Sequence, residues 1–447
     1  TLASSKTFTD LEYIETAVEF TGVASTSTTD GSGATFDVQK VGTKYFVILN
    51  DGGINYNRLD VLTIDGSLVG GTSSTHDISI TLSTVNSVTG AVIDFDHTGD
   101  ASGGQFVALT NDAAGAFQRS VDGTNWVDDT IGNPGTGTWG AVSSGLMFDG
   151  SSDFAPSKIV ATCTGSTVVG ISDDANTWSL TSFPAGVTVT GGTGVTDVAF
   201  GTVFDSGIER FVLISNADRD IATSDNGSTF TRQVDALPST GFTSICHGAG
   251  KWLAIKRGSD ATAYSTDGIT WTTGTLPSLS NWEDVTFGNG RFIAISSADR
   301  KSAYSLDGIT WVAITLPDDG AAGNVVYNKI TYGQGQFAIT NTTIADRIDY
   351  SDYGLVWSSY TSATIAGTGH AAIAFGGPQR LPKFVAVGPG STNAGISAVL
   401  PVKARGRVGI ASERIFEVRM TEPGMGYVSA PTITVTDPNN VNDAQFT

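Results

Sequence analysis

Seven short, nearly unbroken apolar runs recur through the middle of this chain: Phe106–Leu109, Ile159–Ala161, Phe211–Ile214, Trp252–Ile255, Phe292–Ile295, Phe337–Ile339 and Phe384–Val387. Strands with one wet face alternate apolar and polar residues, so continuous runs of this length predict strands covered on both faces. Ahead of most of them lies another β-like run that ends in an aromatic residue followed by glycine, as in Phe200-Gly201, Phe287-Gly288, Tyr332-Gly333 and Phe375-Gly376. Six of the runs are followed by a polar turn of fixed form, Ser-x-Asp-Gly-x-x-Trp or a near variant. The copies occupy Ser120–Trp126, Ser172–Trp178, Ser224–Phe230, Ser265–Trp271, Ser305–Trp311 and Ser351–Trp357, and they start 40 to 52 residues apart. Strands and turns repeated at a period of about 45 residues predict a β-propeller. Seven second strands predict seven blades across residues 91–399. The last blade has a third strand at Gly395–Val399 but no Ser-x-Asp turn, so its outer strand is either irregular or supplied from elsewhere in the chain.

Outside that array the pattern is weaker. Leu11, Ile14 and Val18 would share a face of a helix over Asp10–Phe20, while Ile14, Val18 and Phe20 also suit a strand. Thr21–Gly33 is rich in Thr, Ser and Gly and reads as a linker, which makes residues 1–33 an N-terminal segment. Residues 34–90 carry β-like runs at Phe36–Val38, Tyr45–Leu49, Val61–Ile64 and Ile78–Leu82, the pattern of a small β module. The segment Gly424-Met-Gly-Tyr427 followed by Ile433–Val435 has the spacing of Gly53-Ile-Asn-Tyr56 followed by Leu62–Ile64. A second small β module is therefore expected over residues 400–447. The chain starts at Thr1 without methionine and stops without an obvious ending, which is expected of a processed chain or part of a longer one.

Composition agrees with an all-β reading and excludes some functions. The 447 residues include 55 glycines and only 15% charged side chains, a mixture suited to dense turns and unlike a helical protein. A formal charge of -20 opposes binding to nucleic acid, which needs a basic face to displace counterions. No apolar run approaches the roughly 20 residues of a membrane-spanning helix. Cys163 and Cys246 are too few for a disulfide framework or a zinc site and read as free thiols.

In the repeated turn, the Asp carboxylate can accept hydrogen bonds from amides of its own turn, and the Gly supplies a positive φ. The Trp covers the outer apolar surface of its blade. Six copies of one local fastening are the opposite of the single asymmetric constellation that an active site requires. The turn resembles the Asp-box of sialidase-type and sortilin-type propellers. Ala175 stands at the Gly position, Phe230 at a Trp position, and Asn226 and Tyr353 at Asp positions, each a departure from that pattern. The segments Gly31–Val38, Asp60–Gly71 and Asp77–Thr81 resemble a module recurrent in virion structural proteins of tailed phages, notably those of marine cyanobacteria. Pro423–Val435 is similar to a companion module of the same tail and fibre proteins. The resemblance implies a virion component in the tail, baseplate or fibres, present in multiple copies beside other virion structural proteins.

Chemistry is sparse. The Phe/Tyr-Arg-Ile-Pro motif of sialidases is missing, and Arg210, Arg291 and Arg380 mostly sit in turns before second strands. Lys251 and Arg291 read as a recurrent solvated turn position. Gly135–Gly140 satisfies G-x-G-x-x-G without a βαβ context and reads as a loop. Asp94–Asp100 and Asp437–Asp443 are oxygen-rich, but the first lacks the spacing and distal Glu of an EF-hand loop. His76, His97, His247 and His370 are isolated, and His247 fills the slot held elsewhere by Phe200, Phe287 and Phe375. No catalytic, cofactor-binding or metal-ligating residue is assigned. The leading expectation is a non-enzymatic virion protein whose propeller is a rigid displayed disc, without cofactor, nucleic acid or membrane insertion. A host-surface adhesin, with exposed members of Trp139, Trp252 and Trp282 stacking on glycan, and a polysaccharide-degrading enzyme are the alternatives.

Overall fold

The structure is a computed structural model. It describes residues 8–435 and 444–446, except 15–16, 28, 43, 58, 86–91, 99–103, 111–115, 122, 124, 133–137, 148–156, 184–194, 319–324, 334, 345–346, 362–369, 377–382, 388–394, 397–404, 412–413 and 423–432. Among these residues the secondary structure is strand throughout, apart from one 3-10 turn at Gly66–Val69.

Every apolar run predicted as a second strand occupies that place in an antiparallel meander. Sheet A joins Phe8–Ile14, Gln105–Thr110, Ala116–Ser120 and Val127–Thr130; sheet B joins Thr138–Leu146, Ser157–Thr164, Val168–Ser172 and Trp178–Ser182. Sheet C runs Val195–Thr202, Glu209–Ser215, Ile221–Ser224 and Thr231–Gln233. A six-stranded sheet follows, Phe242–Gly248, Lys251–Ser265, Thr272–Gly288, Arg291–Ser296, Lys301–Ser305 and Val312–Thr315. Its two long strands bend where the register shifts between Arg257, Ser259 and Ala261, so that it serves as two meanders, D up to Thr275 and E from Trp282. Sheet F runs Tyr327–Gly333, Gln336–Asn341, Arg347–Ser351 and Ser358–Thr361, and sheet G has Ala372–Gly376, Lys383–Val387 and Gly395–Ile396.

The sheets pack face against face, which is why their second strands are apolar on both sides. One cluster joins A to B through Ile14, Leu109, Phe117, Trp139 and Ile159, and another joins B to C through Val160, Val169, Val198 and Phe211. Ile214 and Trp252 join C to D, Leu253 and Trp282 join D to E, and Ile295 and Tyr327 join E to F. Leu11, Phe106 and Ala108 of sheet A meet Ala372, Ala374 and Val385 of sheet G.

In the N-terminal segment the strand reading holds and the helical one does not. No helix covers Asp10–Phe20; Phe8–Ile14 is instead the first strand of sheet A, with Tyr13 opposite Phe106 and Leu11 opposite Ala108. Leu11 and Ile14 look like helical neighbours, three apart. In a strand that spacing points them to opposite faces, Leu11 toward sheet G and Ile14 toward sheet B. Both faces are covered, so the alternation that normally marks a strand is lost.

Residues 17–98 are thus inserted between the first two strands of sheet A. Nor is Thr21–Gly33 a linker: strands Ala17–Ala24, Thr26–Ser27 and Ser32–Val41 run through it. Two sheets, one of Ala17–Ala24, Ser32–Val41 and Lys44–Ile54 and one of Thr26–Ser27, Val61–Ile64, Ile78–Val85 and Val92–Thr98, share a core of Phe36, Val38, Tyr45, Tyr56, Leu62, Ile64, Ile78 and Ile80. Val92–Thr98 pairs with Ile78–Val85, so the array expected from residue 91 gives its opening strand to this module. Residues 398–447 form a unit of their own. It holds the hairpins Arg405–Ala411 with Arg414–Glu422 and Ile433–Val435 with Ala444–Phe446, while Gly424–Tyr427 lies outside the described residues.

Candidate functional site

In a meander the turn from first to second strand and the turn from third to fourth lie at one end of the sheet. The polar turns therefore share an end with the aromatic-Gly steps and with the inserted module, whose Ala17 amide donates to Ser157 Oγ at 3.0 Å.

The turns are closed units. Asp307 Oδ1 accepts from the Ile309 and Thr310 amides at 2.8 Å each and from Ser305 Oγ at 2.9 Å, while Ser305 Oγ accepts from the Gly308 amide at 2.8 Å. Asp267 repeats this with Ile269, Thr270 and Ser265, and Asp174 with Asn176, Thr177 and Ser172. The two amide bonds hold the Asp307 carboxyl down at about 2. Burial pushes the Asp267 carboxyl up, but its amide and hydroxyl donors outweigh that and leave it below the usual range. Asn226 keeps the same two acceptor bonds with its amide oxygen, to Ser228 and Thr229. The departure at Ala175 costs backbone strain, because its φ of 59° is one that glycine adopts without a Cβ clash. In the sixth copy Tyr353 brings no carboxylate, and Ser351 Oγ donates to the Val356 carbonyl. Asp122 of the first copy lies outside the described residues.

Three further layers tie one sheet to the next. The aromatic of each step lies on the glycine of the preceding sheet. A Cβ on Gly201 would meet the His247 ring at 2.1 Å, one on Gly248 the Phe287 ring at 2.0 Å, and one on Gly333 the Phe375 ring at 1.9 Å. Those aromatics in turn pack on the head of their own second strand, with His247 and Trp252 ring centroids 4.5 Å apart. Burial lowers the affinity of His247 for a proton, in keeping with a packing role.

The residue that opens the second strand forms the next layer. Gln105 donates to the Asp174 carbonyl at 2.9 Å, Arg210 to the Asp267 carbonyl at 2.5 Å and Lys251 to the Asp307 carbonyl at 2.9 Å, each reaching the turn of a following sheet. Lys158, Arg210 and Gln336 also bond the aspartate one place before the turn's Asp position, namely Asp173, Asp225 and Asp352. At Lys251 the position read as solvated is thus a stitch between sheets, whereas Arg291 makes no such bond among the described residues. Along the first strands, Asp197 accepts from the Ile245 amide and Asp284 from the Ile330 amide and Ser244 Oγ, while Asn328 donates to the His370 and Ala371 carbonyls.

The sequence candidates fall into this frame. Trp139, Trp252 and Trp282 are at most 1% exposed, so none of them is a surface for stacking sugar. His370 is buried and His76 Nδ1 accepts from the Thr72 amide. The His97 side chain, Arg380, Gly135–Gly137 and most of the two oxygen-rich segments lie outside the described residues. Cys163 and Cys246 are free; burial pushes the Cys163 thiol up to about 12 and, with Asp284 and Asp197 nearby, raises that of Cys246. Among the described residues no group of three or more His, Cys, Asp or Glu is placed to hold a metal ion. Two open clefts lie beside the turns. One of about 560 Å³ runs along Lys158, Asp173, Trp178 and Ser228, and one of about 390 Å³ along Arg210, Asp225 and Gln233.

Four-stranded meanders packed face to face in chain order place the chain among proteins of the β-propeller kind. A catalytically inactive virginiamycin B lyase from Staphylococcus aureus, solved with quinupristin, is similar with a TM-score of 0.50 and 13% identity, over 69% of this chain and 90% of that one. YCF48 bound to D1 peptide (TM-score 0.45, 14% identity, 63% and 85% covered) and BBS1N in complex with ARL6DN (TM-score 0.48, 10% identity, 65% and 87% covered) also match. At such identities the likeness to the lyase concerns the fold alone. Neither a protein-family model nor a curated protein matches the chain.

Proposed function

We propose that this chain is a non-enzymatic structural component of a tailed-bacteriophage virion, located in the tail, baseplate or fibres, and that its body is a seven-bladed propeller fastened by Asp-box turns. Sheets A to G are the blades, and the N-terminal strand completes the first, so that blade seven packs on blade one through Leu11 and Ala372. The observation that carries the reading is the use made of polar groups. The turn aspartates that are described accept bonds inside their own turns, and Arg210, Lys251, Asp197 and Asp284 tie blade to blade. Such a body is a rigid platform. The inserted module enters and leaves it at one end of blade one, a two-point attachment that fixes its orientation. Together with the C-terminal unit it would contact neighbouring copies and other virion structural proteins. The resemblance of these segments to phage tail modules supports the assignment; the lyase likeness does not bear on it.

The test is biochemical fractionation and imaging of particles from the phage that encodes the chain. The expected result is the chain in stoichiometric amounts in purified virions, with seven-bladed density in the tail, baseplate or fibres. Recovery only from infected-cell cytosol, with purified particles lacking it, would refute the proposal.

A further inference from the structure

We infer that Arg291, with Tyr304 and Tyr353, forms a binding subsite for the carboxylate of an acidic sugar. The inference goes beyond the structural role proposed above and does not depend on it.

It starts from a broken pattern. The residue opening a second strand draws on two kinds of partner: an aspartate one place before the Asp position of its own turn, and the turn carbonyl of the next sheet. Gln105, Lys158, Arg210, Lys251 and Gln336 each have at least one. Arg210 has both, Asp225 at 2.5 Å and the Asp267 carbonyl at 2.5 Å. Lys251 has the second, the Asp307 carbonyl at 2.9 Å. Arg291 has neither. Its own turn carries Leu306 where an aspartate would stand, and among the described residues it makes no bond to the turn of the next sheet, where Asn289 Nδ2 donates to the Asp352 carbonyl at 3.0 Å instead. Among the described residues no acceptor meets Arg291, and its Nε is buried without a partner.

The guanidinium lies instead over the rings of Tyr304 and Tyr353, 5.8 Å from each centroid. Tyr353 is the residue that replaces aspartate in the sixth turn, and it is 50% exposed. Leu306 thus removes the carboxylate that Asp225 places beside Arg210, and Tyr353 of the adjacent sheet puts an aromatic wall there.

An unneutralised guanidinium presents paired N–H donors matched to a carboxylate. The tyrosine rings hold it by cation–π attraction without consuming those donors. The flat face of Tyr353 can carry the C–H face of a pyranose, while phenolic hydroxyls can bond its hydroxyls. An extended peptide would be held through its backbone by an exposed strand edge, which this turn surface does not provide. With a net charge of -20 on the chain, an acidic ligand gains from direct contact with Arg291 and not from the field of the molecule.

The experiment uses the full chain with three probes: a glucuronic acid oligosaccharide, its neutral glucose counterpart, and an N-acetylated peptide ending in a free carboxylate. Titrations are followed by calorimetry and by the arginine Nε–H resonance assigned through Arg291→Lys. The acidic oligosaccharide is expected to bind and to move that resonance, with the neutral one inert. Arg291→Lys, which keeps the charge but loses the fork, should weaken binding roughly tenfold or more at an unchanged melting temperature. A still resonance, affinity unaltered by Arg291→Lys, or binding of the peptide in place of the sugar would each overturn the assignment. Should the variant fold poorly, the resonance in the unmodified protein still decides. Absence of sugar binding in a chain that is found in virions would sink this inference alone.

Discussion

At the scale of single residues, one carboxylate in a turn does the work of a small scaffold. Asp307 gathers two amides and a hydroxyl at hydrogen-bonding distance, and its neighbour Ser305 gathers a third amide. Bonds to a charged acceptor are the stronger kind, about 1.5–3 kcal/mol each before the exposure of the site reduces them. Asp307→Ala is therefore expected to lower stability by about 1–3 kcal/mol, measured by denaturant or thermal melting. The sign of the pH dependence follows from the carboxyl being held at about 2, below its unfolded value. The contribution is complete above the unfolded pKa and is lost as pH falls through the folded one, so the gap between parent and variant should close between about pH 4 and pH 2. A gap that stays constant across that window would show that the carboxylate is not what closes the turn.

At the scale of elements, the first strand of each sheet is shaped by the sheet that follows it. Glycine at the step is required by contact: the Phe287 ring would lie 2.0 Å from a Cβ on Gly248. Gly248→Ala should cost about 1–3 kcal/mol through displacement of that ring. Gly290, which is at positive φ but has open space around its Cβ position, should respond only through its backbone. An unchanged melting temperature for Gly248→Ala would contradict the close-approach argument. What could be read from the chain follows the range of each interaction. The turns and second strands were legible because their cause is local, a Ser-x-Asp-Gly spacing or four consecutive apolar residues. The stitches of Lys251, Asp197 and Asp284 were not, since their partners lie 40 to 56 residues away and meet only after packing. Trp139 and Trp282, readable as surface aromatics, are buried because they face the neighbouring sheet across the clusters that join A to B and D to E.

At the scale of the whole molecule, the chain is sewn to itself by its beginning. Phe8–Ile14 supplies a strand whose pairing partner, Gln105–Thr110, follows an inserted domain of its own. This long-range pairing escaped the sequence reading because Leu11 and Ile14, packed toward different neighbours, imitate a helical stripe. It also determines how the body holds together, since those two side chains sit in the clusters linking the first sheet to the last and to the second. Amide hydrogen exchange of the intact protein, read at residues 8–14, tests this most directly. The account predicts protection comparable to that of Phe106–Leu109, lost together with it in one cooperative opening. Free exchange at 8–14 while the sheets stay protected would contradict it.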